Sequence, residues 1–246
     1  MNRKLLSSKI KCPNGCKYCF ANFREYFNKT QIGIEEEIDI IYPSCDSELF
    51  LSEIEGFLVN QKHIKIISLS TKNIISQENL CRIKELNETI LKNRNGFIKL
   101  SVSFTCKNMV SIIEPRCATY NQRIELLSKI SSIDIPTSVI FKPILPFIPV
   151  EEYYEIITDT MMYSNLYLIG GLYFEKNSKF NEEHTLSQYL TENREINWLE
   201  HKPIWAYIPS TDIIDKIKSR INEFNLQAFD SDISLIQTIY NQRYGK

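Results

Sequence analysis

Short apolar runs alternate with longer stretches of helical spacing along most of this chain. The runs that predict strands are IDIIYP from residue 38, IKIISLST from 64, FIKLSVSF from 97, PTSVIFKPILP from 136 and NLYLIGGLYFE from 165. A first strand is expected at or just before SSKI, residues 7–10. Continuous apolar runs of this length are typical of strands that a parallel sheet buries on both faces.

The stretches between these runs place apolar residues three or four positions apart, which predicts helices. The predicted helices are ANFREYFNKT from residue 21, SCDSELFLSEIEGFLVN from 44, SQENLCRIKELNETILKN from 76, TYNQRIELLSKISS from 119 and VEEYYEIITDTMMYS from 150, with another near 211–224. Strands that alternate with helices predict βα units around a parallel sheet, so we expect an α/β fold. The rhythm breaks after residue 175, which divides the chain into a core, 1–175, and a C-terminal extension, 176–246, that we expect to cap the mouth of the core.

The length and composition of the chain suit one large α/β domain, or a core with a small extension. It has 246 residues, of which 43% are hydrophobic and 24% are charged, and a core of this size needs no disulfide. Seven cysteines, three of them clustered, indicate a reduced compartment, so we expect a cytoplasmic protein. We expect no signal peptide, because no charge-preceded apolar run stands near the N-terminus. We expect no membrane span, because no apolar run approaches the ~18 residues that a span requires.

Acidic and basic residues are almost balanced. The chain has 29 Lys and Arg against 30 Asp and Glu, a net charge of −1, and residues 176–246 hold nine basic and ten acidic side chains. Proteins that bind nucleic acid usually carry a basic excess or a basic patch. The balance therefore counts against strong nonspecific DNA binding, while it remains compatible with a local basic patch.

The candidate chemistry begins with CPNGCKYCF, which places three cysteines at Cys12, Cys16 and Cys19. Thiolates are soft ligands that suit iron–sulfur clusters and zinc. A [4Fe–4S] cluster normally takes four cysteines, so this array would leave one iron open to a ligand that is not protein. Structural zinc requires four closed ligands, and no CxxC or HxxxH partner follows at a usable spacing. A catalytic cluster is the favoured interpretation, with structural zinc as the alternative.

The spacing C-x3-C-x2-C, with the aromatic Tyr18 before the last cysteine, resembles the signature of the radical S-adenosylmethionine (SAM) enzymes. The resemblance implies a partial (β/α)6 TIM-type barrel whose cofactor site lies at the C-terminal ends of the strands. It also implies a [4Fe–4S] cluster on Cys12, Cys16 and Cys19, with SAM bound to the open iron. In that family an electron from the cluster cleaves SAM to a 5′-deoxyadenosyl radical, and a flavodoxin- or ferredoxin-type protein supplies the electron.

Five further strings, across roughly residues 10–150, resemble spore photoproduct lyase and related DNA repair photolyases in the same order: IIYPSCDSELF, SLSTKNIIS, KLSVSF, IIEPRCATYNQRIELL and VIFKPILP. The resemblance implies DNA lesion repair by lyase chemistry, with Cys45 returning a hydrogen atom to the product radical. It implies that Tyr18 lies against the adenine of SAM and that Lys72 pairs with its carboxylate. Ser47 and Ser101 would hydrogen-bond the polar groups of SAM.

Each of these residues also has an ordinary structural role open to it. Tyr18 could be a buried aromatic residue, Ser47 a helix cap and Ser101 part of a solvated strand face. Lys72 could be a surface lysine, and Cys45 a small buried apolar residue.

Three functions remain open from the sequence. The first is repair or modification of nucleic acid, in which Trp198, Trp205 and Tyr207 of the extension could stack on an extruded base. The second is a radical SAM enzyme that acts on a peptide, a nucleotide or a small metabolite, which the neutral charge favours. The third is a non-enzymatic protein that holds zinc.

Overall fold

The computed structural model describes residues 2–6, 11–19, 38–43, 47, 48, 55, 64–196 and 203–245. Its strands are β1 Arg3–Leu5, β2 Ile40–Tyr42, β3 Ile66–Thr71, β4 Phe97–Ser103, β5 Thr137–Phe141, β6 Leu166–Ile169, β7 Leu172–Phe174, β8 Glu192–Glu195, β9 Ile204–Ile208 and β10 Gln227–Phe229. Its helices are α1 Gln77–Arg94, α2 Val110–Ile113, α3 Tyr120–Ser131, α4 Val150–Thr160, α5 Lys179–His184, α6 Thr211–Glu223 and α7 Asp232–Tyr244. Strands and helices alternate from β3 to β6, as the apolar pattern predicts.

Within the described ranges, seven strands form one sheet in the order β1-β2-β3-β4-β5-β6-β10. Every neighbouring pair in this sheet runs parallel. The first six strands follow chain order, as they do in part of a TIM-type barrel. The predicted α/β partial barrel is therefore confirmed, and a seventh strand from the predicted extension lengthens the sheet at one edge.

The prediction of one strand over NLYLIGGLYFE is wrong, because the run divides at Gly170 and Gly171. β6 lies in the parallel sheet, whereas β7 pairs antiparallel with β9 in a second sheet of order β7-β9-β8. A Cβ on Gly171 would overlap the carbonyl oxygen of Ile208. The close approach of these two backbone segments therefore requires glycine. The apolar pattern is the same on both sides of the glycines, and only the pairing partners distinguish the two strands.

The helices predicted from residues 76, 119, 150 and 211 are confirmed. Ser76 caps α1 by accepting a hydrogen bond from the Asn79 N–H, and Thr119 forms a capping box with Gln122 at the start of α3. The run SSKI, the helix predicted from residue 21 and most of the helix predicted from residue 44 lie outside the described residues.

The two faces of the parallel sheet differ. On the outer face, Ile67, Leu100, Val102 and Val139 belong to the main hydrophobic core, which also includes residues of α1 and α3. On the inner face of β3 and β4 the side chains change from apolar to polar along the strand. These two strands therefore direct polar groups toward their C-terminal ends.

β4 shows the layers of the inner face in order. Phe97 packs in an apolar cluster with Leu235 and Ile236 of α7. The next inward residue, Lys99, pairs with Asp232 at 2.7 Å. Helix α7 therefore fills the amino-terminal end of the inner face. The ion pair of Lys99 and Asp232 separates this apolar cluster from the more polar end.

The C-terminal extension takes part in two regions of the fold. Residues 192–208 supply β8 and β9 of the second sheet, whereas residues 227–244 supply β10 and α7 of the main sheet and its inner face. The Tyr244 hydroxyl donates to the Gly96 carbonyl at 2.9 Å and fastens the end of α7 beside β4. The division between 175 and 176 stays a prediction.

In the part of the chain that the structure describes, the helices are too short or too polar to cross a membrane.

We expect Asp232→Ala to lower the free energy of unfolding by roughly 3–5 kcal/mol, because it leaves the Lys99 ammonium buried without its counter-ion. Lys99 is only 1% exposed, and Asp232 also accepts a hydrogen bond from Ser68 at 3.0 Å. The control is Glu125→Ala, which removes an exposed pair with Lys129 and should cost about 1 kcal/mol or less. Urea denaturation measures both, and equal losses would contradict the buried pair.

The same pair predicts how stability depends on pH. Burial would raise the pKa of Asp232, but Lys99 outweighs burial and holds that pKa below its ordinary value. A depressed carboxyl pKa contributes stability that is present above the unfolded value of about 3.9 and is lost as pH falls through the folded pKa. The difference in unfolding free energy between wild type and Asp232→Ala should therefore shrink in that acidic range, which denaturation at several pH values would measure.

Candidate active site

A cavity of about 690 Å³ opens at the C-terminal ends of the parallel strands. The inner ends of β3 to β6 and the residues just after them supply part of its wall: Ser70, Lys72, Ser103, Lys142 and Gly170. This is the edge of the sheet at which the sequence resemblance predicts a cofactor.

The loop of residues 11–19 forms a second wall, and Cys12, Cys16 and Cys19 all line the cavity. The Cys19 N–H donates to the Cys16 carbonyl at 3.0 Å, which closes a turn between the last two cysteines. Gly15 has a φ of +60°, a backbone conformation that favours glycine, and a side chain there would have to displace the Arg116 guanidinium. The cysteine motif is thus folded into a compact loop that faces the cavity.

Hydrogen bonds tie the cysteine loop to the end of β3. The Asn14 amide donates to Glu48 Oε2 at 2.7 Å and accepts from Asn73 at 2.7 Å. Asn73 also donates to Glu48 Oε2 at 3.2 Å and accepts from the Ala118 N–H at 3.0 Å. The backbone N–H of Lys72 donates to the same Glu48 oxygen at 3.3 Å. One carboxylate therefore fixes the cysteine loop relative to the loop after β3.

A second carboxylate, Glu114, is fully buried behind this wall. The hydroxyls of Tyr18 and Thr105 both donate to its Oε1, and Lys72 Nζ lies 3.6 Å from the same oxygen. Arg123 Nη2 lies 2.6 Å from Oε2, and both side chains of this ion pair are fully buried. No hydrogen bond links these two atoms, so the pair is held by charge. Two cations neutralise the carboxylate, as burial requires.

The pKa shifts follow from this pairing. Burial would raise the pKa of Glu114, but Lys72 and Arg123 outweigh burial and hold it below its ordinary value. Burial would lower the pKa of Lys72, but Glu114 and then Cys16 raise it above its ordinary value. Burial and the Glu114 charge raise the pKa of Tyr18 well above its ordinary value. At neutral pH the wall therefore presents a lysine cation beside a protonated tyrosine.

Lys72 is held at the cavity by side chains from three segments. Its Nζ donates to Ser103 Oγ at 2.9 Å and lies 5.6 Å from the centre of the Tyr18 ring. The Tyr18 ring in turn meets Phe180 edge to face, with centroids 6.2 Å apart. The cation is thus fixed in position and still borders the open space.

Cys117 lies beside the cysteine loop although it comes from a distant segment. Its Sγ is 3.6 Å from Cys16 Sγ, within hydrogen-bonding range for sulfur. This hydrogen bond is the main cause that lowers the pKa of Cys16, and it raises the pKa of Cys117. A fourth thiol therefore accompanies the three in the motif.

The opposite wall of the cavity combines flat rings with cations. The Arg194 guanidinium lies 3.8 Å from the centre of the Tyr207 ring, and the rings of Tyr173 and Tyr207 are 4.4 Å apart. Lys142 Nζ donates to the Asp230 carbonyl at 2.9 Å, and burial lowers the pKa of Lys142. Such a surface suits a ligand with a planar or anionic group.

The cysteine loop fits an iron–sulfur cluster in the kind and the number of its donors. Three thiols face one cavity that has room for a further group. Within the described ranges, no three His, Cys, Asp or Glu side chains gather around a point that could hold a metal ion. A cubane does not require such a point, since each iron takes its own thiolate. The three cavity-lining thiols match the donor set of a cluster with one open iron, and Cys117 does not line the cavity.

The structure brings several of the predicted site residues together. Tyr18, Ser47 and Lys72 line the same cavity as the three cysteines. Ser101 does not line it, because its side chain is fully buried and its hydroxyl is hydrogen-bonded to Ser138 at 2.8 Å. The serine of β4 that borders the cavity is Ser103, two residues further along the same face.

The remaining predicted residues divide into two groups. Cys45 and Trp198 lie outside the described residues, so their roles stay predictions. Trp205 is buried in β9, whereas Tyr207, two residues later, lines the cavity. Of the aromatic residues proposed to stack on a base, Tyr207 is thus at the cavity and Trp205 is in the core.

The two carboxylates that organise the site were not recognisable from the sequence pattern. Glu48 and Glu114 are 8% and 0% exposed, and neither stands in a spacing that indicates a ligand or catalytic residue. One signal was available for Glu114, which directly follows the apolar pair Ile112 and Ile113. The partners of Glu114 come from other elements of the chain, so the sequence alone did not identify them.

No family model and no curated protein matches the chain. Solved structures do match it. A tyrosine-to-phenylalanine mutant of spore photoproduct lyase has a TM-score of 0.61 at 13% identity and covers 92% of this chain and 80% of that one. A cysteine-to-alanine mutant with dinucleoside spore photoproduct has a TM-score of 0.60 at 13% identity, with the same coverage of 92% and 80%.

Spore photoproduct lyase complexed with dinucleoside spore photoproduct has a TM-score of 0.59 at 14% identity and covers 88% of this chain and 72% of that one. At this level of identity the likeness establishes the fold. The resemblance read from the sequence is therefore confirmed for the fold, which is that of spore photoproduct lyase.

We expect Glu114→Gln to lower the free energy of unfolding by roughly 3–5 kcal/mol, because Arg123 then loses its buried counter-ion. The matched control is Glu183→Gln, whose carboxylate pairs with Lys17 of the cysteine loop but lies at the surface. That control should leave the free energy of unfolding nearly unchanged, because solvent screens the exposed pair. Urea denaturation compares the two, and a Glu114→Gln variant as stable as Glu183→Gln would contradict the central role of the buried carboxylate.

Proposed function

We propose that this protein is a radical SAM enzyme that holds a [4Fe–4S] cluster on Cys12, Cys16 and Cys19. The observation that carries the proposal is the shared cavity, in which the three thiols face a fixed lysine cation and several hydroxyls. When bound, the cluster supplies the electron that cleaves SAM to methionine and a 5′-deoxyadenosyl radical. A flavodoxin- or ferredoxin-type protein would deliver that electron.

The residues of the chain would bind and orient SAM. Lys72 is a point charge that suits the carboxylate of SAM, and Glu114 keeps Lys72 protonated. Ser47 and Ser103 would hydrogen-bond polar groups of SAM. The Tyr18 hydroxyl is held by Glu114, so only its ring is available to lie against the adenine.

We propose nucleic acid as the substrate, with lesion repair by a lyase reaction as the activity. Support comes from the opposite wall of the cavity, where Tyr173 and Tyr207 offer rings to a base and Arg194, which is ion-paired with Glu192 at 2.7 Å, offers a guanidinium group. Repair enzymes that act on a base commonly extrude it into such a pocket. Cys45 would return the hydrogen atom to the product.

A second candidate is a radical SAM enzyme that acts on a peptide, a nucleotide or a small metabolite in the cytoplasm. The observation that favours it is charge, because the chain has a net charge of −1 and the extension has no basic excess. Binding of extended duplex DNA usually relies on many phosphate contacts from Lys and Arg.

Anaerobic reconstitution with iron and sulfide, followed by dithionite and SAM, tests the proposal through the formation of 5′-deoxyadenosine. We expect wild type to bind about four irons and form 5′-deoxyadenosine, and Cys16→Ala to lose both properties. Cys81→Ala removes an exposed thiol on α1 and should behave as wild type. Cys45→Ala should still cleave SAM but give altered products.

The substrate is tested by adding DNA that carries spore photoproduct or thymine dimers. Repair of the lesion supports the lyase reaction, whereas 5′-deoxyadenosine with untouched DNA supports the second candidate. A protein that binds zinc and no iron would refute both.

Affinity for SAM tests the assignment of the cavity wall. Lys72→Met should weaken binding of SAM to the reconstituted protein by about 1–3 kcal/mol, because a charge-assisted contact is lost. Ser103→Ala should weaken binding by a smaller amount, and Ser101→Ala, its matched control on the same strand face, should have no effect. Isothermal titration measures all three. If Ser101→Ala binds SAM more weakly than Ser103→Ala, the assignment of these serines must be reversed.

A further inference from the structure

A fourth thiol accompanies the predicted cluster ligands, and the proposed function gives it no role. Cys117 Sγ lies 3.6 Å from Cys16 Sγ, and no disulfide joins the two cysteines. Cys117 does not come from the cysteine motif, since 101 positions separate it from Cys16. Its position beside one particular motif cysteine calls for a physical explanation.

The backbone around Cys117 is fixed on both sides. The Cys117 N–H donates to the Glu114 carbonyl at 3.0 Å, and the next N–H, of Ala118, donates to the Lys72 carbonyl at 3.1 Å. On the other side, the Arg116 guanidinium covers Gly15 of the cysteine loop. The contact between the two sulfurs therefore belongs to the packing of two anchored segments.

The distance between the sulfurs of Cys16 and Cys117 distinguishes a metal ligand from a hydrogen-bond donor. Two thiolates on one tetrahedral zinc, with Zn–S bonds of ~2.3 Å, would be ~3.8 Å apart, close to the observed separation. In a cubane each iron takes one cysteine, so two sulfurs this close do not ligate the same iron. Sulfurs on different irons point to different corners of the cubane and lie farther apart. With a cluster bound to Cys16, the remaining interaction at 3.6 Å is an S–H···S hydrogen bond.

Ligation fixes the direction of this hydrogen bond. A cysteine sulfur bonded to iron has lost its proton, so the hydrogen between the two sulfurs belongs to Cys117. A hydrogen bond to a ligating sulfur stabilises the more negative, reduced cluster and therefore raises its reduction potential.

We propose that Cys117 is a positioning residue that acts through Cys16: its thiol donates a hydrogen bond to the Cys16 sulfur and holds the reduction potential of the cluster higher than the three ligands alone would. This inference rests on the proposed function, because it requires a cluster on Cys16. It goes beyond that function by assigning a control of the electron-transfer step to a residue outside the motif.

The test is a redox titration of the reconstituted cluster, followed by electron paramagnetic resonance, in wild type, Cys117→Ala, Cys117→Ser and Cys81→Ala. We expect the potential of Cys117→Ala to shift to more negative values. Cys117→Ser keeps an O–H donor and should stay close to wild type, as should Cys81→Ala. Double-resonance spectra in D2O should contain an exchangeable proton coupling that Cys117→Ala lacks.

Three results would overturn the proposal, each in a different way. Equal potentials in Cys117→Ala and wild type would show that the thiol does not influence the cluster. Loss of iron from Cys117→Ala, with full iron in Cys81→Ala, would make Cys117 a metal ligand. If wild type itself assembles no cluster, the proposed function fails first, and the inference fails with it.

Discussion

Burial of the Glu114 carboxylate is the constraint on which the candidate site depends. A carboxylate with no exposed surface is costly unless positive charges and hydrogen-bond donors surround it. The partners that meet this requirement come from three separate parts of the chain: Tyr18 from the cysteine loop, Lys72 from the end of β3 and Arg123 from α3. Because the single carboxylate of Glu114 makes all of these contacts, it fixes the position of Lys72 relative to the cysteine loop.

The inner face of the sheet explains why the cavity lies where it does. An incompletely closed barrel must fill its interior, and here α7 packs against the amino-terminal ends of the strands. The pair of Lys99 and Asp232 forms the next layer, and the hydrogen-bonded pair of Ser101 and Ser138 forms the layer after it. Beyond these layers no helix fills the interior in the part of the chain that the structure describes, and the space remains as the cavity. Because apolar side chains fill the space at the amino-terminal ends of the strands, the cavity and its polar groups lie at the C-terminal ends.

Much of the fold was determined by local pattern. The apolar runs at residues 64, 97 and 136 became β3, β4 and β5, since a parallel sheet buries both faces of its strands. Helices with clear caps, such as α1 and α3, began next to Ser76 and Thr119 as expected. The apolar pattern did not predict β7 and β10 as separate strands, because each is three residues long and is defined by the strand that it pairs with.

The sequence by itself determined the α/β class, the runs that form the central strands and the spacing of the three cysteines, because these follow from periodicity and from fixed positions along the chain. The order of the strands in a partial barrel was implied by the family resemblance and is confirmed by the sheet. Only the tertiary structure decided that Ser103 rather than Ser101 borders the cavity, since the depth of a residue along a strand has no signature in the alternation of side chains. It also decided that Glu114 and Cys117 belong beside the cysteine loop. Their roles arise from contacts between segments about a hundred residues apart, and the physical reason is the pairing of buried charge and sulfur across those segments.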